Sequence, residues 1–133
     1  MLERINAIVL AVNDVRACAV FYRDKLGFTL DQLENDEAYL TVGAGGGTVL
    51  ALKSVDKVAK EIGQRTIRPE EEEGVKRTQC VVFVSNLDEE YDHLRQKGVD
   101  FLNPPSTQEG GWRTAHFADP EGNLWEISQR PKK

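Results

Sequence analysis

AIVLAVNDV, residues 7–15, returns as QCVVFVSNL, residues 79–87, at an offset of 72, and this repetition decides the fold. Each copy opens on a short apolar run and closes on polar residues, the pattern of a buried strand. In the first copy Asp14 is a good helix N-cap. Val15, Cys18, Ala19, Tyr22 and Leu26 then recur at helical spacing, and Gly27 supplies the stop. Three short segments of strand composition follow: FTLDQLE (28–34), EAYLTVG (37–43) and GTVLALKS (47–54), the last two parted by the Gly45-Gly46-Gly47 tip. The first half therefore reads βαβββ.

The second half repeats that order, as internal similarity at a fixed spacing requires. Leu87, Tyr91 and Leu94 mark an amphipathic helix stopped by Gly98, and VDFLNPP (99–105), GWRTAHFAD (111–119) and NLWEISQ (123–129) read as three more strands. Laying TVLALKS (48–54) on NLWEISQ sets Leu50-Ala51-Leu52 against Trp125-Glu126-Ile127. The expected fold class is α+β, two βαβββ modules in one domain: module 1 over residues 1–53, a linker over 54–76 and module 2 over 77–133. The linker contains IRPEEEEGVKR (67–77), whose four consecutive glutamates, Glu70 to Glu73, suit a solvated face. Consecutive side chains do not converge on one cation.

A chain of 133 residues can bury a core without disulfides or metal staples. Its formal net charge of -5 leaves no basic stripe, which argues against nucleic acid as a partner. No signal peptide and no membrane span is visible, so no membrane association is expected. Cys18 and Cys80 lie in apolar surroundings without CxxC spacing. They read as reduced structural thiols of a cytoplasmic protein.

AIVLAVNDVRACAVFYRDKLGF (7–28) and WRTAHFADPEGNLWEIS (112–128), with QCVVFVSNL between them, resemble the vicinal oxygen chelate superfamily, also called the glyoxalase/bleomycin resistance protein/dioxygenase superfamily. The resemblance covers nearly the whole chain. It implies that the two modules form a curled, cup-shaped mixed sheet with helices packed outside, and that chains of this length pair as homodimers. It also implies that metal-using members draw ligands from four cup positions, which the repeat register places here at Ala7, Ala51, Gln79 and Glu126. Transition metals in such cups need imidazole or carboxylate donors. Two alanines, an amide and one carboxylate do not make that set, so no metal and no cofactor is expected.

Strand alternation assigns the faces of the cup so implied. Ile8, Leu10 and Val12 turn toward the first helix, and Ala7, Val9 and Ala11 face the cup. In the second module Cys80, Val82 and Val84 go under the helix, leaving Gln79, Val81 and Phe83 on the cup side. Trp125 and Ile127 point into the core, so Glu126 points the other way. His116 faces the cup if Phe117 packs under a helix, where it is either a hydrogen-bonded strand residue or a ligand contact or acid/base group. Trp112, after Gly110-Gly111, is either rim packing or, since glycines let a loop move, a gate or stacking surface for a flat ligand, and Tyr39 and Phe28 are further lining candidates of unfixed facing. His93 lies off the helical stripe and receives no role.

A carboxylate facing an apolar cup needs a hydrogen-bond donor or a cation. Gln79 and Arg113 are the candidate donors. Glu126 then either anchors, with Gln79, the polar end of a small organic ligand, or sits near the rim in water. The expected pocket lining is Ala7, Val9, Ala51, Gln79, Phe83, Trp112, His116 and Glu126. The favoured function is a metal-independent binding protein of bleomycin-resistance type that sequesters an organic ligand in a largely apolar cup, with Glu126 and His116 the candidates should there be catalysis. The alternative is a glyoxalase- or dioxygenase-like enzyme with a degenerate or relocated metal site, and a third reading is metal-free acid/base catalysis by Glu126 with His116.

Overall fold

The computed structural model describes residues 1–43, 47–63 and 77–132. The chain divides into two units, one ending at Glu73 and one beginning at Gly74, and each unit builds its own four-stranded mixed sheet. The two expected modules thus form eight strands in two hydrogen-bonded sheets. The fold is α+β. No helix among the described residues is long and apolar enough to cross a membrane.

In the first unit the elements run β1 (Ala7–Val12), α1 (Val15–Asp24), β2 (Thr29–Leu33), β3 (Glu37–Thr41), β4 (Val49–Ser54) and α2 (Val55–Ile62). The strand order is β1-β4-β3-β2, with β1 and β4 parallel and the other pairs antiparallel. Asp14 caps α1 as its composition suggests, its carboxylate accepting from the Ala17 N–H at 3.0 Å. Val15, Cys18, Ala19 and Tyr22 of the expected stripe are buried, and the Tyr22 and Phe28 rings stack at 5.8 Å. The helix ends at Asp24, before Leu26, which is half-buried. Tyr22, Leu40 and Leu52 are fully buried, and burial of each such side chain contributes about 1.5–3 kcal/mol.

The stretch read as a linker opens with a helix. Ser54 caps α2 by accepting from the Lys57 N–H at 3.1 Å, and the helix closes at Gly63, whose φ of 69° is left-handed. Residues 64–76, including the glutamate run from Glu70 to Glu73, lie outside the described residues, as do Gly45 and Gly46 of the glycine tip.

The second unit runs β5 (Gln79–Phe83), α3 (Leu87–Gln96), β6 (Ser106–Thr107), a 3-10 turn (Glu109–Gly111), β7 (Arg113–Ala118) and β8 (Leu124–Gln129). Its order, β5-β8-β7-β6, copies the first unit, and β5 and β8 are again the parallel pair. VDFLNPP is not the strand its composition suggests. Phe101 makes a lone bridge to Phe117, and the edge strand forms later, at Ser106–Thr107. Pro104 and Pro105 have no N–H to offer a ladder, which delays pairing until they are passed.

Tyr91, Phe101, Phe117 and Trp125 form a continuous run of ring contacts, with centroids 4.6, 5.4 and 6.3 Å apart. That run locates α3 on the sheet face carrying Phe117 and Trp125. Ala115 and Ile127 are buried on the same face. The β7–β8 turn is wound about Asp119, whose carboxylate accepts from the N–H groups of Glu121 and Asn123 at 2.9 Å each and from the Asn123 side chain at 2.8 Å. DPEGN is therefore a hydrogen-bonded turn that sets the register of the strands flanking it.

Candidate functional site

Strand registers place the same row in both units. In the first, Val9 lies opposite Ala51 and Ala51 opposite Tyr39. In the second, Val81 lies opposite Glu126 and Glu126 opposite His116. The register inferred from the repeat thus holds: Glu126 stands where Ala51 stands, one strand from the edge strand that carries Ala7 in the first unit and Gln79 in the second. Ala7 and Val9 are exposed in the first unit, whereas Ala51, expected to line a pocket, is 1% exposed between Val9 and Tyr39. The Tyr39 hydroxyl donates to Glu37 at 3.1 Å, and this contact with a carboxylate holds its pKa above the ordinary phenol value. Phe28 packs into the core instead of lining a site.

In the second unit Phe117 does pack under α3, so alternation turns His116 and Glu126 to the opposite face. Their side chains are joined: Nε2 of His116 lies 2.9 Å from Oε1 of Glu126, with side-chain exposures of 23% and 17%. Behind the ring, Asn103 approaches twice. Its Oδ1 accepts from the His116 backbone N–H at 2.8 Å, and its Nδ2 lies 3.0 Å from Nδ1 of the imidazole.

The proton positions follow from donor and acceptor chemistry. A backbone N–H can only donate, so the Asn103 oxygen must face it and the amide nitrogen must face Nδ1. Nδ1 then accepts, Nε2 carries the hydrogen, and that hydrogen points at Glu126. Asn103, His116 and Glu126 form a directed chain of hydrogen bonds ending on a carboxylate. Oε2 of Glu126 has no partner among the described residues, and no buried side-chain polar atom among them is left unpaired. Oε2 is therefore open to solvent or to a ligand.

Neither expected donor serves Glu126. Gln79 lies on the same face, one row along β5, and makes no side-chain hydrogen bond among the described residues. Arg113 has the parity of Ala115 and Phe117 and so belongs to the helix face. It grips Asp88, in the first turn of α3, through two contacts of 2.7 Å, and donates to Thr107 at 3.1 Å. This paired bonding, more than the charge alone, holds the Asp88 carboxyl below its usual range.

The remaining face residues are aromatic or hydroxylated. Phe83, half-exposed, lies opposite Ser128, and Ser128 opposite Thr114. Trp112 immediately precedes β7 and contacts the Phe83 ring at 5.5 Å, while the Arg130 guanidinium, just past β8, lies 4.5 Å from the centre of that same ring. Gly111, before Trp112, has φ +89°, and a Cβ there would stand 3.1 Å from Cβ of Pro131, so the position requires glycine. His93 is exposed on α3.

The four positions singled out for metal ligands hold two methyl groups, one amide and one carboxylate. Among the described residues no three of His, Cys, Asp and Glu come together. Even with His116 counted, the second unit offers one imidazole and one carboxylate, which are hydrogen-bonded to each other. That donor set does not fit a tightly held divalent metal.

The comparisons with known proteins agree with this architecture. Residues 4–127 match the family model of the Glyoxalase/Bleomycin resistance protein/Dioxygenase superfamily. The uncharacterized protein YraH of Bacillus subtilis (strain 168) is 36% identical over 121 residues, covering 90% of this chain and 93% of its own. A solved glyoxalase/bleomycin resistance protein/dioxygenase from Nocardioides superposes with a TM-score of 0.82 at 28% identity, over 99% of this chain and 86% of its own. A glyoxalase-related enzyme from Fulvimarina pelagi gives 0.80 at 22% identity, over 97% and 89%. With the repeated modules, their shared register and the match over residues 4–127, the chain belongs to the glyoxalase/bleomycin resistance protein/dioxygenase superfamily.

Proposed function

We propose that the protein binds a small organic molecule without a metal, in the manner of a bleomycin-resistance-type sequestering protein, with Glu126 as the polar anchor. The observation that carries this is the Asn103–His116–Glu126 chain, which holds a carboxylate in place on a face that also carries Val81, Phe83 and Trp112 beside the polar Gln79, Thr114 and Ser128. A fixed acceptor beside apolar and aromatic surface suits an organic body carrying a donor group. Glyoxalase-like or dioxygenase-like chemistry requires a metal to polarise oxygen, and the donors at Ala7, Ala51, Gln79 and Glu126 do not fit one.

The test is a ligand screen on the intact chain, read by the fluorescence of Trp112 and Trp125 and repeated on Glu126→Ala. A ligand whose affinity is the same for both proteins would remove Glu126 from the anchor role. Elemental analysis of protein purified without chelator is the companion measurement, and stoichiometric nickel, zinc, iron or manganese would overturn the metal-free reading. The proposal includes a homodimer, and a monomer by analytical ultracentrifugation would remove that part. The 2.9 Å contact between His116 and Glu126 favours one second reading, acid/base catalysis by the pair. Loss of a bound ligand over time, rather than its recovery unchanged, would select it.

A further inference from the structure

The cation at the far end of the same face has no assigned task. Arg130 is exposed, follows β8 directly, and makes no ion pair among the described residues; its guanidinium lies over the Phe83 ring, 4.5 Å from the centroid. A guanidinium set over a ring is positioned by that ring while its N–H donors stay available to a carboxylate or similar anion. The neighbourhood is also cationic. Arg130 and Lys132 border a recess of about 460 Å³ whose lining includes one carboxylate, Asp88, and Arg113 already neutralises that one. Phe83 and Trp112 do not line this recess, whose contribution is the positive charge of Lys132 beside Arg130, which favours an anion at that guanidinium.

The spacing defines a ligand. Phe83 is two residues along the sheet from the row of Val81, Glu126 and His116, which is roughly 6–7 Å at the strand rise. Phe83 and Trp112, 5.5 Å apart, offer a flat body two aromatic surfaces. Glu126, with its open carboxylate oxygen, and Arg130 stand four residues apart along β8 and its continuation, roughly 13 Å at the strand rise, the reach of a six-membered ring with a polar group hydrogen-bonded at each end. The two ends call for opposite groups, a donor at Glu126 and an anion at Arg130.

We propose that the ligand is an aromatic acid: a flat ring on Phe83 and Trp112, its carboxylate on the Arg130 guanidinium, and a hydroxyl or amino group across the ring donating to Glu126. This rests on the small-molecule reading above and adds the ligand's class and polarity. It also assigns Arg130, Phe83 and Trp112 their tasks.

The experiment titrates the intact chain with 4-hydroxybenzoate, with its neutral amide 4-hydroxybenzamide, and with trans-4-hydroxycyclohexanecarboxylate, whose ring is saturated. Binding is read by tryptophan fluorescence and by amide NMR shifts of β5 and β8. The aromatic acid binds the wild-type chain at least about tenfold more tightly than either of the others, a gap of about 1.4 kcal/mol. Arg130→Gln removes the preference for acid over amide, and Arg130→Lys restores part of it. Arg130 is exposed and lies outside the strands, so both variants keep the wild-type unfolding midpoint and circular dichroism. If acid and amide bind equally, or if Arg130→Gln leaves the acid's Kd unchanged, the aromatic-acid proposal fails while the small-molecule reading stands. If none of the three binds, the proposal is also overturned, and the broader ligand screen then decides the small-molecule reading by itself.

Discussion

Glu126 is held by His116 across adjacent strands, Oε1 to Nε2 at 2.9 Å, and the direction of that hydrogen bond is set by a third residue, Asn103, thirteen positions before the histidine. The relationship settles how a carboxylate survives on this face without a cation. Oε1 accepts one hydrogen bond from Nε2 of His116, and Oε2 has no partner among the described residues and is not enclosed. In the proposed anchor role, a carboxylate already held by His116 is a preformed acceptor, which lowers the ordering cost of binding.

Removal of Asn103 tests the direction of the chain. In the wild-type protein at neutral pH, the 15N shifts of His116 report hydrogen on Nε2 and a bare, hydrogen-bonded Nδ1. Asn103→Ala removes the hydrogen bonds at Nδ1 and at the His116 backbone N–H, mixes the two tautomers and lowers stability by about 1 kcal/mol, the scale of solvent-accessible hydrogen bonds. A wild-type ring with its hydrogen on Nδ1 would contradict the assignment.

Glu126 is predicted to serve binding more than folding. Glu126→Gln keeps an oxygen that accepts from Nε2, so its stability stays within about 0.5 kcal/mol of wild type. Glu126→Ala strands a donor that water can reach, and costs less than about 1.5 kcal/mol. Chemical denaturation checks both. A loss above about 3 kcal/mol in the alanine variant would mark the carboxylate as a structural element instead.

The features that were plain in the sequence are those governed by period. Strand alternation put Phe117 and Trp125 inside and His116 and Glu126 outside, because successive side chains must oppose. The match of residues 7–15 to 79–87 carried the register because two copies of one topology pair their strands alike. The same alternation already barred Arg113 from Glu126, since it shares parity with Ala115. α2 was legible too: Ser54, Val55, Val58, Ala59, Ile62 and Gly63 make a cap, a stripe and a stop, but the glutamate run that follows drew the whole stretch into one linker. Asn103 was not legible. Its place depends on the lone bridge between Phe101 and Phe117, in a segment whose apolar residues imitate a strand and whose prolines prevent one.

Asp88 and Arg113 give a dependence on pH. The arginine's hydrogen bonds hold the Asp88 carboxyl below its ordinary value. A depressed carboxylate stabilises the fold at every pH above its unfolded pKa, about 4, and that contribution disappears as the pH falls through the lower folded value. Because both side chains are substantially exposed, the effect is small. The difference in urea midpoint between wild type and Asp88→Asn is therefore constant from neutral pH down to about 4 and shrinks below it. A difference that instead grew on acidification would reverse the sign assigned to the pair.

Cys80 and Cys18 separate by burial. Cys18 is fully buried in the core of the first unit, whereas Cys80 is half-buried on β5. Burial, with Asp119 adding to it, pushes the Cys80 thiol above its ordinary range, so the reactive thiolate is scarce at neutral pH. In the native protein a disulfide reagent such as DTNB modifies Cys80 alone, more slowly than it modifies a free thiol. The rate rises with pH to a midpoint above that of a free thiol, and Cys18 reacts once denaturant is added. Cys80→Ser abolishes the native reaction and Cys18→Ser leaves it intact. Fast labelling of Cys80 at neutral pH would show its thiol to be activated, and would place a cation beside it that the described residues do not supply.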